Sequence, residues 1–122
     1  MIGKLRSVVL DCPEPRRLAD FYTAVLGGEV AVQDDTWVVL VEPTGRRLAF
    51  QLAPQFEPPQ FPDPHGSQQF HLDIEVDDVD VAESEVLANG ATRVPDAVGE
   101  DGFRVYRDPA GHPFCLVWGE AG

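Results

Sequence analysis

TWVVLVEPTGRRLAFQL (36–52) and GFRVYRDPAGHPFCLVW (102–118) are the two stretches that decide the fold. Trp37, Pro43 and Gly45 in the first match Phe103, Pro109 and Gly111 in the second at a constant offset of 66. Each stretch reads as a hairpin turning at Pro-x-Gly, because proline presets φ for a turn and glycine supplies the positive φ that completes it. A hairpin that recurs at one spacing marks an internal repeat, and the flanking sequence carries the rest of each copy.

Upstream of the first hairpin, residues 14–26 place Leu18, Phe21, Tyr22, Val25 and Leu26 on one helical face, opened by Pro13 and Pro15 and stopped by Gly27 and Gly28. Residues 78–89 repeat the pattern more weakly, with Val79, Ala82, Val86 and Leu87 on one side and Gly90 as terminator. Glu14 and Asp78 stand at the two helix starts, an offset of 64 that pairs Ser7 with His71. Ahead of each helix, SVVLD (7–11) and HLDIEV (71–76) alternate as strands buried on one face. Gly27 to Val30 and Gly90 to Val94 lead into one further strand each, which makes β-α-β-β-β twice.

The expected fold class is therefore α+β, one domain over 1–122, with module one at 1–53 and module two at 70–119. Between them PQFEPPQFPDPHGSQQ (54–69) holds five prolines, which exclude helix and central strand and favour an extended connector. Phe56 and Phe61 in that segment are candidates for a lid, against the plainer reading of a linker. At 122 residues and 43% hydrophobic, the chain has the size and core of one ordinary domain.

Nine Lys and Arg against twenty-one Asp and Glu leave a formal charge of -12. That field repels phosphate backbones and anionic lipids, so nucleic acid and membranes are not expected partners, whereas cationic ligands are attracted. Val8 to Leu10 is too short an apolar run for a signal peptide, and no stretch approaches a membrane span. Cys12 and Cys115 then read as free thiols in a reducing compartment, with the cytoplasm as the expected location. A P-loop, G-x-G-x-x-G, G-x-S-x-G and H-E-x-x-H are all missing from the sequence, which removes the nucleotide, hydrolase and protease readings those motifs carry.

Strand alternation sorts two faces. Val8, Leu10, Leu48, Phe50, Leu52, Leu72, Ile74, Val76, Phe114, Leu116 and Trp118 fall on the parity expected to meet the helices. Ser7, Val9, Asp11, Ala49, Gln51, Ala53, His71, Asp73, Glu75, Cys115 and Val117 fall on the other, a mostly polar or small set that a sheet facing solvent also shows.

LADFYTAVLGGEV (18–30), FHLDIEVDDVD (70–80) and RDPAGHPFCLVW (107–118), in this order and spacing, resemble the vicinal oxygen chelate superfamily. That superfamily includes glyoxalases, bleomycin-resistance proteins, extradiol dioxygenases, fosfomycin-modifying enzymes and methylmalonyl-CoA epimerases. The chain is most similar to its small glyoxalase-like branch. The resemblance implies curled mixed sheets enclosing a central cleft, with metal ligands, in the enzymes, on the first and last strands of each module. Those positions fall at Ser7, at Ala49 or Gln51, at His71 and at Cys115. It also implies either pairing as a homodimer or, with both half-units in one chain, a cleft closed within the monomer.

His71 is the leading candidate for chemistry, because imidazole titrates near neutrality. Asp73 and Glu75 beside it either bind a cationic group or are solvated carboxylates. Trp37 and Phe103, at equivalent repeat positions, either stack on a flat ligand or fill the core. His65 and His112 lie in turn-like contexts. An activated thiolate from Cys115 with His71 is outweighed by a small buried thiol.

A catalytic divalent ion needs three or four converging ligands, and Ser7, Ala49 and Cys115 replace the residues that usually supply them. If a metal is held, be it zinc, nickel, manganese or iron, the donors expected are His71, Gln51 and Cys115. The first reading is thus a metal-independent small-molecule-binding protein of bleomycin-resistance type, with a cleft edged by Gln51, His71 and Asp73. The second is a divergent metal-dependent lyase, isomerase or dioxygenase.

Overall fold

In both hairpins an acidic residue precedes the Pro-x-Gly turn, and the same backbone bonds close it. Glu42 N–H donates to the Arg46 carbonyl and Gly45 N–H to the Glu42 carbonyl; 66 residues on, Asp108 N–H donates to His112 and Gly111 N–H to Asp108. The acidic side chain reinforces each turn. Glu42 accepts from the Arg46 amide and the Thr44 hydroxyl, and Asp108 accepts from the amides of Ala110 and His112. The sequence repeat is thus a repeat of hydrogen bonds.

The structure, a computed structural model, describes residues 1–60, 70–95 and 102–119. Phe61 and His65 lie outside the described residues. The elements in chain order are β1 (Val8–Cys12), α1 (Pro15–Leu26), β2 (Glu29–Gln33), β3 (Trp37–Val41), β4 (Arg47–Leu52), β5 (Leu72–Glu75), α2 (Val79–Ala88), β6 (Thr92–Arg93), β7 (Phe103–Arg107) and β8 (Pro113–Val117). This is the expected α+β order. The chain divides into two compact units, Met1–Phe56 and Glu57–Gly122.

In the first unit a four-stranded sheet runs β1-β4-β3-β2, with β1 parallel to β4 and the remaining pairs antiparallel. Pro15 opens α1, where its missing N–H leaves no bond unmade, and Glu14 makes no side-chain cap. Leu18, Ala19, Phe21 and Tyr22 are buried; Tyr22 stacks on Phe50 of β4 at 5.7 Å between centroids and meets Phe21 edge-on at 5.0 Å. Side chains of this size contribute about 1.5–3 kcal/mol each when buried, so this aromatic triplet anchors helix to sheet. After the helix, Gly28 takes φ +96°, and a Cβ there would lie 2.2 Å from the Val41 carbonyl oxygen.

The second unit repeats the topology as β5-β8-β7-β6, again with one parallel and two antiparallel pairings. Its helix is attached differently. Asp78 caps α2 by accepting from the amides of Asp80 and Val81, while Val86 is its one buried residue. Leu87, expected on the buried side, is 41% exposed. Glu83 instead binds the sheet through polar contacts, accepting from Tyr106 Oη at 2.9 Å, Arg93 Nη1 at 3.0 Å and Arg104 Nη1 at 3.3 Å. Burial and the Glu83 carboxylate push the Tyr106 hydroxyl well above its ordinary pKa. Tyr106 also stacks on Phe114 at 5.3 Å, and the Arg104 guanidinium lies over Trp118.

Two further details depart from the sequence pattern. Val8, assigned to the helix-facing parity, is 43% exposed, because β1 is an edge strand with only β4 beside it. Strand β5 is shorter than 71–76, leaving His71 as the residue that leads into it. Arg107 Nη1 donates to the carbonyls of Pro59 and Gly111, which ties the start of the connector to the second hairpin. Among the described residues, no helix is long and apolar enough to cross a membrane.

Candidate functional site

Cross-strand register places the candidate residues in rows on the face of each sheet away from its helix, since paired residues share a face. In the first unit one row is Asp11, Gln51 and Trp37, and the next is Val9, Ala49 and Val39. In the second unit the equivalent rows are Glu75, Val117 and Phe103, then Asp73, Cys115 and Val105. Ser7 and His71 precede these rows at matching places. Both units therefore carry a row running from an acid to an aromatic ring, with Gln51 in the middle of one and Val117 in the middle of the other.

The second rows differ in kind. Val9 and Ala49 offer no donor atom, and Ala49 is fully buried. At the same register Asp73 faces Cys115, and His71 Nε2 lies 3.3 Å from Asp73 Oδ1. His71, Asp73 and Cys115 each bring one donor atom, all within 4.8 Å of one another. The His71 and Asp73 side chains are 40% and 58% exposed, whereas Cys115 is buried at 5%. One end of the cluster is thus open to water and the other is sealed.

Burial, the Asp73 charge and a hydrogen bond to Asp73 push the Cys115 thiol up to about 11. The thiol therefore stays protonated at neutral pH and donates to the carboxylate. A thiol held protonated in this way is not a thiolate activated by an adjacent base. Beside the cluster, Val94, Val105 and Cys115 form a small buried apolar group with Phe103 and Val117 packed against it. A polar edge of His71, Asp73 and Glu75 thus borders an apolar floor on one sheet face.

Of the four positions that the resemblance assigns to metal ligands, the second module supplies donors at both, His71 and Cys115. Ala49 carries only a methyl group, and Ser7 offers a hydroxyl where imidazole or amide is usual, so the first module contributes at most Gln51. Gln51 sits beside Asp11 and Trp37. Within the second unit, the residue found against both His71 and Cys115 is Asp73. Alternation had put Asp73 on the right face, but only the parallel register of β5 on β8 sets it opposite Cys115. The Glu83 network under α2 escaped the sequence reading altogether.

Two β-α-β-β-β modules of matching sheet order define the class as that of paired-module glyoxalase-type folds. Residues 7–117 match the glyoxalase-like domain family, and the chain belongs to that family, within the vicinal oxygen chelate superfamily. No curated protein matches the chain. Among solved structures, it is similar to the genomically encoded fosfomycin resistance protein of Listeria monocytogenes, at 16% identity and a TM-score of 0.74, over 98% of this chain and 94% of that one. A glyoxalase/bleomycin resistance protein/dioxygenase family enzyme from Burkholderia phytofirmans is 19% identical with a TM-score of 0.71, over 95% and 98% of the two chains. A protein of Agrobacterium tumefaciens is 21% identical with a TM-score of 0.72, over 98% of this chain and 100% of that one. At these identities the likeness is one of fold.

Proposed function

We propose that the chain is a small-molecule-binding glyoxalase-like protein of bleomycin-resistance type, which holds its ligand without a metal ion. The observation that carries this reading is the contrast at one register: Val9 against Ala49 in the first module, Asp73 against Cys115 in the second. A catalytic ion of the superfamily's kind draws ligands from both modules, and here one module has none at that register.

The ligand class follows from the second module's face. Its floor of Val94, Val105, Val117 and Phe103 suits an apolar body, and the carboxylates of Asp73 and Glu75 at its edge suit a cationic head. The net charge of -12 favours the same sign of ligand. On the first module's own face, Gln51 and Trp37 are assigned as candidate ligand contacts. A homodimer and a cytoplasmic setting, in which Cys12 and Cys115 stay reduced, complete the proposal; both cysteines are free thiols.

A thermal-shift screen in excess chelator tests it, using aromatic amines matched with neutral alcohols of the same shape. At least one amine is expected to raise Tm while its alcohol does not. Stabilisation only after metal is restored would overturn the reading. One observation favours the divergent lyase, isomerase or dioxygenase as the second reading: the approach of His71, Asp73 and Cys115 to within 4.8 Å.

A further inference from the structure

We infer that Asn89–Gly90 is a site of spontaneous covalent modification, at which the Gly90 nitrogen attacks the Asn89 side chain whenever the last turn of α2 opens, and that the product loosens α2 from its sheet. Asn89 is the one asparagine of the chain, and the glycine after it has no side chain to hinder ring closure.

The folded helix end holds the reaction back. Asn89 Nδ2 donates to the Glu85 carbonyl at 2.8 Å, Asn89 N–H donates to the same carbonyl at 3.1 Å, and Gly90 N–H donates to the Leu87 carbonyl at 3.1 Å. Ring closure needs Cβ and the Gly90 nitrogen on the same side of the Cα–C bond, whereas ψ of Asn89 is 6°. Those bonds must therefore break first. Little else secures the turn, because Val86 is the one buried residue of α2, no basic residue lies in its last turn, and Leu87, Ala88, Asn89 and Gly90 are exposed. Exposed hydrogen bonds with few apolar contacts mark the segments that open at the lowest free energy.

In the open turn a bond forms between the Gly90 nitrogen and Asn89 Cγ. The Gly90 amide proton passes through solvent to the side-chain NH2, which departs as ammonia. Water then opens the cyclic imide at either carbonyl, leaving aspartate or isoaspartate at position 89. Both products work against reclosure. Each removes the Nδ2 donor and puts a carboxylate at the negative end of the helix dipole, four residues from Glu85. Isoaspartate also lengthens the backbone by one carbon just ahead of buried Ala91 and of β6, whose Arg93 bonds Glu83. The change is one-way and belongs to module two alone, since the helix C-cap of module one is Gly27.

The test is incubation of full-length protein at mildly alkaline pH, followed by intact mass and by peptide mapping that separates isoaspartate from aspartate. Conversion at Asn89 is expected, roughly tenfold or more slower in the folded protein than in urea, since the turn must open first. Glu83→Ala, or Asp78→Ala should the first variant not fold, is expected to speed the folded-state conversion severalfold. Asn89→Gln, which would have to close a six-membered ring, abolishes it on the same timescale. Converted protein is expected to show faster amide hydrogen exchange in α2, with α1 unchanged. Equal rates with and without urea, no conversion in folded wild type while the urea sample converts, a folded-state rate that a folded loosening variant does not raise, or conversion that leaves α2 exchange unaltered would each overturn the proposal.

Discussion

The two modules share a topology, a hairpin and a pair of face rows, yet they are filled by different physics. Module one fastens its helix with Ala19, Phe21 and Tyr22 against Phe50, all buried. Module two, at the places equivalent to Ala19 and Val38, has Glu83 and Arg104, and fastens its helix with charge and hydrogen bonds. On the opposite faces the contrast recurs, with Val9 and Ala49 matched by Asp73 and Cys115. The backbone repeat fixes where side chains meet, and the residue types decide whether the meeting is structural or chemical.

The most damaging way to break the comparison is to move module two's chemistry into module one. Ala19→Glu places a carboxylate at a site 2% exposed, with Val38 at the place that Arg104 holds in module two. Loss of cooperative folding, or destabilisation by more than about 4 kcal/mol in urea unfolding, is expected. Gly28→Ala comes next, since a Cβ 2.2 Å from a carbonyl oxygen at φ +96° forces the backbone apart; about 3 kcal/mol is expected. Glu83→Ala, the reciprocal change, strands two partly buried arginines and the hydroxyl of a fully buried tyrosine, and about 2 kcal/mol is expected.

Smaller effects sharpen the contrast at the helix starts. Asp78→Ala removes two accepted amide bonds and is expected to lose about 1 kcal/mol, whereas Glu14→Ala, which removes no cap, stays near zero. The Cys115 thiol gives a gradual pH signature. Its folded-state pKa, about 11, lies above the ordinary thiol value of 9.0, so the folded state holds a proton that the unfolded chain gives up. Stability should therefore fall as pH rises from 9 towards 11, and Cys115→Ala should flatten that limb in thermal melts at stepped pH.

Much of this was legible in the sequence because turn residues mark position. The Pro-x-Gly pairs and the glycines after each helix located the repeat and set the element order. The strand parity gave the faces, including His71 and Asp73 together. What stayed hidden depends on contacts between distant elements. Glu83, Arg93, Arg104 and Tyr106 sit on α2, β6 and β7, and each alone looks like an ordinary surface charge or core ring. The register of Asp73 against Cys115 is set by a parallel pairing with no tight turn to announce it. Val8 shows the converse limit, since alternation assigns a face but cannot say that the strand lies at an edge.

Calorimetric titration of an amine selected in the chelator screen, into wild type, Asp73→Asn and Asp11→Asn, tests the central claim most directly. Binding without metal that is lost in Asp73→Asn and kept in Asp11→Asn is the predicted result. Binding that survives Asp73→Asn, or that is lost in Asp11→Asn alone, would contradict the assignment of ligand recognition to the second module.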